Sequence, residues 1–229
     1  SHVIEDRRRK LAALRERGIE PYAYSYDPTH RTSAARARFE TLEAEGALTE
    51  GGETSETVRV GGRIAGLRRH GRTAFLDLWD RDGRLQAYLR SADLGAAFDL
   101  VDLLDPGDWI GVAGPLMRTR SGEVTLRAVD LTVLAKALRA LPFAKEETDA
   151  GTGERRTFGG LADREQRYRQ RYADLAVNPD VRRVFVARAR IITVMRRFLD
   201  AREFLEVETP VLQPLYGGAS ARPFVTHHN

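Results

Sequence analysis

The stretch "VRVGGRIAGLRRHGRTAFLDLWDRDGRLQAYLR", residues 58–90, changes the period of the chain. Val58, Val60, Gly62 and Ile64 alternate with Arg59, Gly61, Arg63 and Ala65. Further on, Leu76 and Leu78 share one side, and Phe75, Asp77 and Trp79 share the other. After the turn "DRDG" at 80–83, Leu85, Ala87 and Leu89 alternate with Gln86, Tyr88 and Arg90. A period of two marks half-buried strands, so three strands in series are expected here.

Downstream, a short helix is expected over about 91–103. A fourth strand, "DWIGVAGPLMRTR", carries Pro115, which suits a bulge or an edge. The turn "SGE" at 121–123 leads to a fifth strand, "VTLRAVDLTVLA". Three strands, a helix and two strands is the order of a five-stranded Greek-key barrel of the OB type. The fold class is therefore α+β, with the barrel over 58–135. Residues 1–57 read as a helical extension. Its first helix stops at Gly18, and its second runs from a Thr32 or Ser33 cap to Gly46. Residues 136–162, charged and without a sustained period, read as a linker. Residues 163–229 read as two helices broken at Asn178-Pro179, followed by a strand in "FLEVETPVLQ". The second helix, about 180–201, places Val184, Ala187, Ile191, Val194, Met195 and Phe198 at helical spacing.

Composition narrows the chemistry. There is no cysteine, which excludes disulfides, thiolate metal sites and Cys nucleophiles and fits a cytoplasmic location. No apolar run is long enough for a membrane span, so no membrane partner is expected. Net charge is +4, and 34 of the 37 basic residues are arginine, Lys10, Lys136 and Lys145 being the exceptions. That bias permits a nucleic-acid partner without demonstrating one. The histidines lack zinc-type spacing, and neither Gly61-Gly62 nor Gly217-Gly218 has the pattern of a phosphate loop. The run Arg7-Arg8-Arg9-Lys10 reads either as a solvated helix face or as a contact to a phosphate backbone.

Parity selects candidate binding residues. If the leucines of the second and third strands face the core, Phe75 and Gln86 face out. If Val60 and Ile64 face in, Arg63 faces out. An aromatic, an amide and a guanidinium would then share the outer barrel face, where OB folds bind single strands. The other reading of Phe75, a packing residue under a neighbouring segment, stays open at this point.

"RYRQRYADLAVNP" (167–179), "RRFLDAREFLEVETPVLQP" (196–214) and "GGASARPFVTHHN" (217–229) resemble bacterial class II lysyl-tRNA synthetases. The barrel stretch resembles their anticodon-binding domain, and 163–229 resembles the beginning of their catalytic domain. The resemblance implies an ATP-dependent ligase that activates lysine and transfers it to tRNA(Lys). It implies anticodon contacts at Arg63, Phe75, Gln86 and Glu123, a lysine-pocket glycine at Gly218, and a motif 1 proline at Pro210 on a homodimer interface. ATP and Mg2+ are expected as cofactors of the whole enzyme, and none is expected to be held by this chain alone. Family motifs 2 and 3 are absent, so no catalytic residue is assigned and isolated catalysis is not expected. Three readings follow: a synthetase part, including the aspartyl or asparaginyl relatives; an RNA-binding module without catalysis; and an interaction protein built on the motif 1 helix.

Overall fold

The computed structural model describes residues 2–148, 155–212 and 224–227. It forms two compact units, Ser1–Val177 and Asn178–Asn229.

The expected five strands are found as seven. They are β1 (Val58–His70), β2 (Thr73–Trp79), β3 (Arg84–Arg90), β4 (Trp109–Gly114), β5 (Leu116–Arg118), β6 (Val124–Ala128) and β7 (Asp130–Ala135). The spatial order is β5-β6-β3-β2-β1-β4-β7. The expected fourth strand breaks at Pro115 and the fifth at Val129. At each break the chain bends and changes partner: β4 pairs with β7, and β5 with β6. Because β4 runs into β5 and β6 into β7, the ladder closes on itself. The corner is tied by Arg127 N–H donating to Pro115 O (2.9 Å) and Val129 N–H donating to Ala113 O (2.8 Å). Gly114 is needed there, since a Cβ on it would lie 1.9 Å from the Arg127 carbonyl oxygen. Among the described residues the one parallel pair is β3 with β6.

The core is the inward set that the alternation predicts. Val58, Val60, Ile64, Leu76, Leu78, Leu85 and Leu89 are fully buried, joined by Ile110, Val112, Leu116 and Leu126. Between β3 and β4 the chain forms α3 (Ser91–Leu94) and a 3-10 stretch, Gly95–Leu103, rather than one continuous helix.

The N-terminal helices pack onto this barrel. α1 (His2–Glu16) buries Leu14 and α2 (Thr32–Ala44) buries Phe39, both in the barrel's core cluster. Thr32 does not flank α2 as a cap; it is the first helical residue. Its N–H and hydroxyl donate to the Asp80 carboxylate at 2.8 and 2.7 Å. The other oxygen role of Asp80 is local, accepting from Asp82 and Gly83 N–H in the β2–β3 turn. A carboxylate 48 residues downstream thus satisfies the helix start.

Between the helices, residues 20–30 run across the barrel. Ala23 N–H donates to Leu134 O (2.9 Å), and the Tyr26 ring lies over Gly111. A Cβ on Gly111 would lie 2.3 Å from that ring. Burial, opposed by Arg59, raises the Tyr26 phenol above its ordinary pKa. Gly111→Ala is expected to displace the ring, cost about 1 kcal/mol and let the phenol titrate lower. Urea unfolding and a spectroscopic tyrosine titration check both effects. An unchanged titration means the ring was not displaced.

The basic run of α1 divides. Arg7 is buried, donating to Ala137 O (2.8 Å), Arg139 O (3.3 Å) and Pro106 O (2.9 Å). Lys10 Nζ pairs with Asp105 at 2.6 Å. Only Arg8 and Arg9 of the four are exposed, and Arg9 pairs with Asp6. The phosphate reading therefore loses half its charges to structure.

Residues 136–162 are not a featureless linker. They contain an antiparallel pair, β8 (Ala144–Thr148) and β9 (Arg155–Gly159). Leu141 and Phe143 pack against Leu161, Ala173 and Val177, and Phe143 meets Trp79 edge-on at 5.8 Å. The helix expected before Asn178 is two short ones, α4 (Arg164–Arg169) and α5 (Arg171–Val177).

In the second unit, α6 (Pro179–Asp200) starts at the expected proline. The strand expected after it is not formed: 204–210 is coil. A strand needs a hydrogen-bonded neighbour, and none of the described residues supplies one. No helix among the described residues is long and apolar enough to cross a membrane.

Candidate nucleic-acid interface

The outer face of β1, β2 and β3 is organised by one irregularity. The β1–β2 register shifts between Ile64 and Gly66, a bulge at Ala65. Up to Ile64, even-numbered residues face the core. After the bulge the odd residue Leu67 pairs with the core-facing Leu76, and Arg68 pairs with Phe75. Arg68 is thereby turned outward into the Phe75 row, which strict alternation from Ile64 would not give.

Successive rows cross the face. Arg68, Phe75, Tyr88 and Arg127 stand in register on β1, β2, β3 and β6. Gly66, Asp77, Gln86 and Thr125 form the next row. Arg63, Trp79 and Arg84 form the one beyond.

In the first row Phe75 and Tyr88 are stacked, with centroids 4.5 Å apart and planes 18° from parallel. Both are half-buried. The Arg90 guanidinium lies 5.9 Å from the Tyr88 centroid. Arg90 is held by Asp93 at 2.6 and 2.9 Å, Asp93 also receives Arg127 at 3.1 Å, and Arg127 pairs with Glu53 at 2.7 Å. The hydrogen bond from Arg90, against the opposing effect of burial, holds the Asp93 carboxyl below its ordinary range. The aromatic pair thus rests beside a fixed ionic chain.

The second row carries hydrogen-bonding groups. Asp77 lies over Gly66, where a Cβ would be 2.7 Å from Oδ2, and it pairs with Arg68 at 3.3 Å. Asp77, Arg84, Leu85, Gln86 and Glu123 line a small pocket. Glu123 is oriented by Arg36 of α2 at 2.8 Å. Thr125 Oγ1 donates to Gln86 Oε1 at 3.0 Å. Arg84 makes no hydrogen bond or ion pair among the described residues.

Of the residues expected from sequence, Phe75, Gln86 and Glu123 lie together. Arg63 lies on the same face but farther along. It donates to Gly107 O (2.9 Å) and its guanidinium is 5.2 Å from the Trp109 centroid. Pro210 is exposed in coil, and Gly218, with Gly217 and His228, lies outside the described residues. Sequence reasoning missed Arg68, Tyr88, Thr125 and Arg36. Tyr88 was legible, because it shares parity with Gln86. Arg68 was not, because the bulge leaves no pattern in "RIAGLRR". Among the described residues no cluster of His, Asp and Glu could hold a metal ion.

Comparison with known proteins bears on this surface. Residues 58–134 match the family model of the OB-fold nucleic acid binding domain. Residues 163–229 match that of the class II tRNA synthetases (D, K and N). The lysine–tRNA ligase of Moorella thermoacetica is 46% identical over 96% of this chain. The chain is homologous to lysine–tRNA ligases along its length. The ligase of Carboxydothermus hydrogenoformans is 42% identical over 100% of the chain, and that of Methanoculleus marisnigri 43% over 96%. The chain spans about two fifths of the length of these ligases, 40% of the first and 42% of the second. An OB-fold domain and a class II synthetase region are thus both present in it.

Proposed function

We propose that this chain is the anticodon-reading part of a lysine–tRNA ligase, and that the β1–β3 face binds the single-stranded anticodon of tRNA(Lys). The observation that carries the reading is the half-buried Phe75–Tyr88 stack beside the Asp77, Gln86 and Glu123 pocket. An aromatic offers a base its face, and adjacent amide and carboxylate groups offer its edge both a donor and an acceptor. In this reading the central uridine stacks on Phe75 and its edge meets Gln86. Glu123 accepts from a neighbouring base. Arg63 contributes at the Trp79 end, and Arg68 supplies charge beside the stack.

The whole ligase, in the same proposal, joins the lysine carboxylate to the α-phosphate of ATP with release of pyrophosphate, then passes the lysyl group to the terminal ribose of its tRNA with release of AMP, in the cytoplasm. ATP and Mg2+ supply the leaving group and its charge neutralisation; neither is assigned to a residue of this chain. Gly218 would let backbone approach the lysine. A second copy would cover the apolar stripe of α6, where Ile191, Val194, Met195 and Phe198 are all more than half exposed. Pro210 would follow that interface.

The test of RNA recognition is a titration of the 229-residue chain with anticodon stem-loops. A UUU loop is expected to bind at least about tenfold more tightly than a UCU loop, the factor given by ~1.4 kcal/mol. Equal affinities overturn base reading. For the second-copy proposal, light scattering should show a dimer for the parent and a monomer for Ile191→Glu. A monomeric parent at every concentration removes it.

A further inference from the structure

We propose that Arg84 is a phosphate contact for the bound strand, meeting the sugar-phosphate backbone at the mouth of the Gln86 pocket. The inference rests on single-strand binding by the β1–β3 face given above. Arg84 and Gln86 are two residues apart on β3, so both side chains leave the same face, about 7 Å apart. Leu85 between them is buried in the core. Arg84 lines the same small pocket as Asp77, Gln86 and Glu123. Gln86 is half-buried, whereas Arg84 is exposed. Groups close to the sheet meet a base that is turned inward. An exposed guanidinium at the mouth meets the backbone that carries it.

The charges single out Arg84. Four arginines stand in the three rows of this face, Arg63, Arg68, Arg84 and Arg127. Arg63 donates to Gly107 O and lies against Trp109. Arg68 pairs with Asp77, and Arg127 with Glu53 and Asp93. Arg84 alone of the four has no hydrogen bond, ion pair or ring contact among the described residues. The two carboxylates of the pocket already have partners. Asp77 is matched by Arg68 at 3.3 Å and Glu123 by Arg36 at 2.8 Å. Arg84 therefore brings the pocket an unmatched positive charge with hydrogen-bond donors and no acceptor. A phosphodiester offers negative charge and acceptors, and a guanidinium can grip it through paired oxygens. Every nucleotide carries the same phosphate, so this contact adds affinity without choosing a base.

The experiment titrates the 229-residue chain with UUU and UCU stem-loops across a salt series, with thermal unfolding as a check on folding. Arg84→Gln is expected to weaken both loops by one factor, about 2- to 10-fold at low salt. It should also flatten the plot of log affinity against log salt by about 0.7, the share of one single-strand phosphate. Arg84→Lys keeps the charge and is expected to keep the slope. Arg81→Gln removes a nearby exposed charge in the β2–β3 turn and is expected to keep the slope too. UUU loops with one phosphate at a time replaced by a neutral methylphosphonate then locate the contact. One linkage should weaken binding to the parent and leave binding to Arg84→Gln unaffected. If no linkage behaves so, the charge acts only at a distance and the contact is overturned. The parental slope in Arg84→Gln, or an equal change in Arg81→Gln, overturns it as well. A loss confined to one of the two loops makes Arg84 a base reader and also overturns it. Base reading fails separately, as equal affinities of the parent for the two loops with the slope change of Arg84→Gln intact. A parent that binds neither loop removes the β1–β3 reading and this inference with it.

Discussion

Lys136→Met is expected to lower the unfolding free energy of the first unit by about 3–5 kcal/mol. The Lys136 ammonium is fully buried beneath the end of the barrel. It pairs with Asp105 and, at 2.7 Å, with the equally buried Asp108. Asp108 is also committed to backbone, accepting from Ala137 N–H and Asp105 N–H at 2.8 Å each. Methionine fills the same space but leaves Asp108 without its counter-charge. The penalty is that of an uncompensated buried carboxylate, more than the worth of one ion pair. Lys10 still reaches Asp105 at 2.6 Å but from a partly exposed position, so Lys10→Met should cost less. Urea unfolding monitored by circular dichroism measures both. A loss below about 1 kcal/mol for Lys136→Met would show that the site rehydrates or rearranges, against this account.

The same cluster sets an acid limit. Burial pushes the Asp105 carboxyl up, but hydrogen bonds from Lys10 and Lys136 outweigh it and hold the group below its ordinary value. A depressed folded pKa gives stability that is fully present above the unfolded value of about 3.9. It is lost as pH falls through the lower folded value. Stability should therefore hold across neutral pH and fall below about pH 4. Unfolding midpoints measured down through that range check the sign. A fall that begins near pH 6 would point to histidine instead.

Phe75→Ala is expected to weaken binding of a UUU stem-loop by ~1–3 kcal/mol, roughly 5- to 150-fold. The ring stacks with Tyr88 and is not part of the barrel's core cluster. Its loss should leave the thermal midpoint nearly unchanged. Because the ring carries no charge, the salt dependence of binding should keep its slope while affinity falls at every salt concentration. Phe75→Tyr, which retains a stacking face, should bind close to the parent. A Phe75→Ala chain that binds as tightly as the parent would falsify the stacking role. A changed salt slope would mean that the substitution had moved Arg68 or Arg90.

How legible this was in the sequence varies by element. The period-two runs of 58–90 placed three strands with ends close to those observed, because one buried face enforces alternation. The breaks at Pro115 and Val129 were less legible. A bent strand that changes partners keeps its apolar pattern through the bend. The pairing of 144–148 with 155–159 escaped because these stretches are charged and lack a period-two apolar pattern. The coil after α6 shows the opposite error: β-prone residues make no strand without a pairing neighbour. On the candidate face, the outward positions of Phe75 and Gln86 followed from parity alone. Arg68 was hidden by the bulge, and Thr125 by being polar at a position that is buried without being core.

The sequence by itself determined the alternation that makes a barrel, the outward parity of Phe75 and Gln86, and the helical break at Asn178-Pro179. These follow from local periodicity and from the missing proline N–H, which act within a few residues. Tertiary structure alone decided three other things. Asp80 starts α2 from 48 residues away. Arg36 and Thr125 bond to Glu123 and Gln86. Lys10 and Lys136 converge on Asp105, and the buried Lys136 also pairs with Asp108, while nearly every other basic residue is arginine. Each is a pairing between groups distant in the chain. Its energy exists only once folding has removed the water that would otherwise satisfy both partners.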